Sequence, residues 1–203
     1  LFAVVLGPIL IPMVQEAVQF DFMVRPASGL YILSATIADY AIPSRMHTLW
    51  RESGHLLPGN QIAPISERTL SIGYAALILA AIAMITQFRR VWFWIVAIAF
   101  FFLLSLGPRL HLSSITFSDI PKGDAGDGLS MTLFGLLNYY VPFMSISRSV
   151  SRYALMVQLG AAILAGFGMM TLLQRVRDGA GIVFTSIIVG LLLIEYWVAP
   201  YPM

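Results

Sequence analysis

The stretch Tyr153–Leu173, "YALMVQLGAAILAGFGMMTLL", runs for 21 residues without a charged side chain. As a helix it would be about 30 Å long, the thickness of a bilayer's hydrocarbon core. It also concentrates small residues: Gly160, Ala161, Ala165, Gly166 and Gly168, with Ala161 and Ala165 forming a small-xxx-small pair. In lipid such residues let helix backbones approach closely, so they mark where this segment touches its neighbours.

The rest of the chain agrees with a membrane setting. Of 203 residues, 59% are hydrophobic and 11% charged, and the mean hydropathy is +0.84. Soluble domains carry about 25% charged residues and about 45–50% apolar ones. A larger core cannot absorb that excess in a chain of this size, so the expected solvent is hydrocarbon. Leu70–Phe88, Val91–Gly107 and Ala180–Val198 read as further spans (70–88, 91–107 and 180–198), the last with one charge, Glu195, near its end. Leu1–Val14 (1–14) reads as part of a fifth span kinked by Pro8 and Pro12. The expectation is an all-α polytopic transmembrane bundle of about five spans, and a piece of a longer membrane protein.

Two long connections, 15–69 and 108–152, hold most of the polar residues. Within them "SGLYILSATIADYAIPSRMHTLW" and "LSMTLFGLLNYYVPFM" are apolar but too short to span, and suit short helices lying at or re-entering the interface. The two tight turns carry Arg89-Arg90 and Arg175-x-Arg177. Positive-inside reasoning puts those turns in the cytoplasm and both long connections outside. Tyr139, Tyr140, Tyr196, Trp197 and Tyr201 fit an aromatic belt on the outer side.

Several function classes fall away at once. A net charge of +2 gives no reason to expect a nucleic-acid partner, and the absence of cysteine removes disulfides, thiolate metal sites and Cys catalysis. His47, His55 and His111 lack metal-ligand spacing, and Asp119, Asp124 and Asp127 do not match a calcium loop. No metal or cofactor is expected. The polar feature that calls for an explanation is "SISRSVSRY", Ser145–Tyr153, at the mouth of the 153–173 span. A helix N-terminus is the positive end of the dipole, so two arginines there are out of place unless an anion joins them. At i and i+4, Arg148 and Arg152 would share a helix face if helical geometry already holds, with Ser149 and Ser151 adding donors. A lipid phosphate is the anion that fits; the competing reading is simple snorkelling to headgroups. A second set in the first connection, Asp39, Arg45 and His47 with Arg51 and Glu52, suits either a phosphate or sugar site or an ordinary solvated loop. Glu67 reads as a helix starter, and Glu195 as an inexpensive interfacial charge.

The order of segments resembles the C-terminal half of bacterial polytopic glycosyltransferase-like proteins of the GT-C superfamily. The residues that carry the likeness are "SATIADYAIPSRMHTLW", "FFLLSLGPRLHL", "SRSVSRYA" ahead of the Gly/Ala-rich span, and "LLLIEYWVAPYPM". The resemblance implies sugar transfer from a polyprenyl-phosphate-linked donor at the outer face of a bacterial inner membrane. It also implies an acidic catalytic residue in an outer loop ahead of Leu1, so no catalytic position is assigned here. A transporter or flippase for an anionic solute, and a non-catalytic assembly protein, are the alternatives.

Overall fold

The computed structural model describes residues 8, 11–16, 19, 27–43, 47, 67, 69–111, 132–141, 144, 147, 149–176 and 180–197. Among them the chain is all-helical, without a strand. Two short helices come first, α1 (Ala27–Ile32) and α2 (Ile37–Ala41). Then follow α3 (Tyr74–Thr86), α4 (Phe88–Ser105), the short α5 (Leu133–Tyr140), a 3₁₀ turn (Val150–Tyr153) that runs into α6 (Ala154–Leu173), and α7 (Gly181–Glu195). Residues 11–16 are also helical.

Two of these helices are long and apolar enough to cross a membrane: Phe88–Ser105, and the 24-residue unit Val150–Leu173. The other two expected spans are shorter as helices. α3 has 13 residues because 70–73 stay extended and Gly73 takes φ 86° at its N-cap, a backbone state that L side chains rarely occupy. α7 has 15 residues, ending at Glu195. Of the first expected span, 1–14, only Pro8 and residues 11–14 are described. The short helices stop where the sequence forces them to. α2 closes at Ile42, whose extended φ/ψ suits the residue before Pro43, and α5 closes the same way at Val141 before Pro142.

α6 is the central helix, packed against α3 and α4, while α7 lies on α3. Residue size rather than polarity separates its faces. The inner side carries Ala154, Val157, Gly160, Ala161, Leu164, Ala165, Gly168 and Thr171, all buried. The outer side carries Leu155, Met156, Leu159 and Met170, all exposed. Both faces are apolar, and the small residues lie on the side that packs against α3 and α4. A Cβ on Gly160 would sit 2.5 Å from Ile98 of α4, and one on Gly168 only 1.9 Å from the Leu79 carbonyl oxygen of α3. Gly166 is the exception to the expected small-residue contacts: nothing lies within 4 Å of its Cβ position, and it faces outward because it is offset from the buried i, i+3, i+4 rows.

The antiparallel pairs α3/α4 and α6/α7 place both tight turns at one end of the bundle. There Gln87 Nε2 donates to Thr171 Oγ1 at 2.6 Å. The opposite end gathers α1, α2, α5, the 3₁₀ turn and the end of α7. Val150 of that turn is fully buried with Leu30, Leu104 and Phe134. Tyr40 of α2 reaches α4, its hydroxyl 2.5 Å from Ser105 Oγ.

Candidate functional site

The entry to α6 is the polar centre of the described structure. Ser149 is extended (φ −149°, ψ 111°), and helical geometry starts only at Val150. The condition for Arg148 and Arg152 to share a helix face is therefore not met. Arg148 itself lies outside the described residues. The turn is fastened on several sides: Ser151 N–H donates to the Leu33 carbonyl at 2.8 Å, and Tyr153 stacks on Phe101 with centroids 6.4 Å apart.

Glu67 organises the side chains of this turn. Its Oε2 accepts from Ser149 Oγ at 2.7 Å and from Ser151 Oγ at 3.0 Å, and the two hydroxyls are 3.0 Å from each other. Its Oε1 accepts from Arg152 Nη2 at 3.2 Å, an ion pair in which the arginine side chain is 64% exposed and the glutamate 19%. Ser149 and Ser151 are buried, so their hydroxyls need partners within the protein, and one carboxylate oxygen serves both. Nearby, Gln158 Nε2 donates to the Thr69 carbonyl at 3.3 Å, tying the segment that leads into α3 to α6. Partial burial opposes ionisation of Glu67. The hydrogen bonds from Ser149, Arg152 and Ser151, with the Arg152 charge, outweigh it and hold the carboxyl below its ordinary range.

Glu67 thus has a different role from the helix starter suggested by its place before an apolar run. α3 begins seven residues later, at Tyr74, and its N-terminus is served instead by Glu195 from the end of α7. Glu195 Oε1 accepts from Tyr74 N–H and Oε2 from Ala75 N–H at 3.1 Å. The neighbouring Tyr196 hydroxyl donates to the Ile72 carbonyl. Glu195 is therefore a tertiary cap, which its position beside Tyr196 and Trp197 gave no means of foreseeing: the partner is 120 residues away in sequence.

The second predicted set is only partly visible. Asp39 is the N3 residue of α2 and closes a capping box with Thr36: Thr36 N–H donates to Asp39 Oδ2 at 2.8 Å, and Asp39 N–H to Thr36 Oγ1 at 3.3 Å. Its carboxylate is committed to starting that helix. His47 is buried, with Nε2 3.2 Å from the Ile194 carbonyl at the end of α7. Arg45, Arg51 and Glu52 lie outside the described residues, as do Asp119, Asp124 and Asp127. Among the described residues no three His, Asp or Glu side chains come together as metal ligands would.

What the α6 entry can do chemically follows from Arg152. A guanidinium has five N–H donors. With Nη2 on Glu67, the side chain is 64% exposed and open to the surface. The two serine hydroxyls donate to the same carboxylate that holds Arg152. No family model, curated protein or solved structure matches this chain.

Proposed function

We propose that this chain is the carrier-binding, membrane-embedded part of a glycosyltransferase, using a polyprenyl-phosphate-linked sugar at the outer face of a bacterial inner membrane. In that reading it is a multi-pass protein of about five spans, with the polar end of the bundle outward and the tight, arginine-bearing turns in the cytoplasm. The observation that carries the reading is Arg152: a guanidinium braced by Glu67, mostly exposed, at the mouth of the longest apolar helix. Such a group meets a phosphate at headgroup depth while the prenyl chain lies along the apolar outer faces of α4 and α6. It also favours the transfer itself. As the bond from sugar to phosphate breaks, its electron pair stays on the phosphate oxygen, and a preorganised cation there stabilises the growing charge.

The Glu67–Arg152 pair is electrically neutral, so carrier binding rests on directed hydrogen bonds from Arg152, with Arg148 as the second cation. Transport is less well supported. Among the described residues, α3 and α6 carry no charge, α7 only Glu195 in its last turn, and α4 only Arg89 and Arg90 in its first, whereas a transport path places ionisable groups near the midplane. A structural reading has one observation in its favour, the closed bonding of Ser149, Ser151 and Glu67 on one another.

Binding of polyprenyl phosphate to the protein in lipid nanodiscs separates the two. Arg148→Gln/Arg152→Gln is expected to weaken binding tenfold or more, given about 1.5–3 kcal/mol for each charge-assisted hydrogen bond lost. Unchanged affinity with lowered thermal stability would assign the cluster to structure alone.

A further inference from the structure

The opposite end of the bundle holds a second basic site, unrelated to the carrier. The turn between α3 and α4 and the end of α6 enclose a cleft of about 620 Å³, lined by Ile85, Thr86, Gln87, Phe88, Arg89, Arg90, Thr171, Gln174 and Arg175. Three of these residues are arginines, drawn from two separate turns, and all three are exposed. The Glu67–Arg152 ion pair and the Glu195 cap on α3 lie at the far end of the bundle. Arg89, Arg90 and Arg175 thus share one cleft at the end of the bundle opposite the Glu67–Arg152 pair.

The floor of the cleft is tied across by a side-chain hydrogen bond between the α3–α4 turn and α6. Gln87 Nε2 donates to Thr171 Oγ1 at 2.6 Å, Thr171 donates to the Phe167 carbonyl at 3.0 Å, and Thr86 donates to the Ile82 carbonyl at 2.7 Å. The N-terminus of α4 opens into the same cleft, and no side chain caps it. Around the rim the surface turns strongly apolar: Ile85 is 83% exposed, Phe88 61% and Trp92 55%. A basic cavity bordered by exposed aromatic and aliphatic groups at a helix end matches one chemistry, an acidic headgroup whose acyl chains continue down the helix.

We infer that Arg89, Arg90 and Arg175 form a binding site for an anionic phospholipid of the leaflet facing the two tight turns, its phosphate in the cleft and its chains along Ile85, Phe88 and Trp92. Scattered positive-inside charges would attract anionic lipid diffusely. A shared cavity predicts a bound stoichiometry and a lipid that stays with the protein.

The test uses the whole chain in phosphatidylcholine nanodiscs containing phosphatidylglycerol as the probe, read by native mass spectrometry and lipid exchange. The wild-type protein is expected to retain phosphatidylglycerol over phosphatidylcholine, and Arg89→Gln/Arg90→Gln/Arg175→Gln to lose about tenfold or more of that preference, given that each basic residue near a membrane surface attracts anionic lipid. Thermal unfolding in pure phosphatidylcholine is expected to be the same for both, because the three side chains are exposed, and this keeps the result distinct from misfolding. No preference in the wild-type protein, or equal retention by the triple variant, would overturn the assignment. Displacement of the lipid by soluble glycerol phosphate would overturn it as well, by assigning the cleft to a free phosphoester.

Discussion

Gly168 of α6 lies so close to Leu79 of α3 that a Cβ would stand 1.9 Å from the Leu79 carbonyl oxygen and 2.7 Å from its carbon. Both atoms belong to the helix backbone at buried Leu79, so neither can swing aside. This contact sets the distance between the two helices that form the closest pair in the bundle. Gly168→Ala is expected to destabilise by about 1–3 kcal/mol or more through overpacking. Gly166→Ala, two residues away with open space around it, is expected to stabilise by about 0.5–1 kcal/mol through the helix preference of alanine. Thermal unfolding in lipid, followed by circular dichroism, checks both; equal effects would show that α3 and α6 are not in backbone contact.

The cap on α3 gives a second expectation. Glu195→Ala leaves the Tyr74 and Ala75 N–H groups without their acceptor and removes a negative charge from the positive end of the helix. A loss of about 1–2 kcal/mol is expected, in the range of a lost N-cap. Glu195→Gln keeps an acceptor and loses only the charge, so about 0.3–1 kcal/mol is expected. Faster amide exchange confined to the first turn of α3 would locate the effect.

The apolar helical segments, two of them long enough to cross a membrane, were legible in the sequence because uncharged runs act locally. Tyr153–Leu173 marked α6 to within a residue. Small residues announced the α6 interface, and Ala161, Ala165, Gly160 and Gly168 proved to be its inner face. Which way Gly166 turns was not legible, since Gly-x-Gly places one glycine on each side and hydropathy is the same on both. The site was legible only in half. "SRSVSRY" drew notice for its arginines, but the carboxylate that binds Arg152, Glu67, lies more than eighty residues earlier and had an adequate local explanation. The same holds for Glu195. Long-range polar pairs leave no periodic trace in a sequence, whereas helix packing does.

Tyr40 gives an alkaline signature. Burial, opposed by the hydrogen bond with Ser105 and reinforced by the nearby Asp39 charge, pushes its hydroxyl from 10.0 up to about 12. A group whose pKa rises on folding contributes stability that is complete below the unfolded value and declines as pH climbs through the folded one. Stability is therefore expected to fall between about pH 10 and 12, and Tyr40→Phe to remove that part of the decline. Ultraviolet titration of phenolate absorbance, compared between the two proteins, reads the ionisation directly; a Tyr40 that titrates with the exposed tyrosines would contradict the buried Tyr40–Ser105 contact.

Glu67 gives the opposite limb. Its carboxyl is held below the ordinary 4.5 by Ser149, Arg152 and Ser151 against the cost of partial burial. A depressed carboxylate stabilises the fold above its unfolded pKa, and that contribution is lost as pH falls through the folded value. The wild-type protein is thus expected to lose stability progressively below about pH 4.5, while Glu67→Gln, already without the charge, shows a flatter acid limb and lower stability at neutral pH. Carrier binding distinguishes the parts of the cluster. Glu67→Gln releases the Arg152 guanidinium from its brace but keeps it cationic, so polyprenyl phosphate binding is expected to persist with weaker selectivity for phosphate over other anions. Arg152→Gln removes the cation and is expected to abolish most of the binding at any pH. If Glu67→Gln and Arg152→Gln lower binding equally, the pair acts as one structural unit and Arg152 does not meet the phosphate.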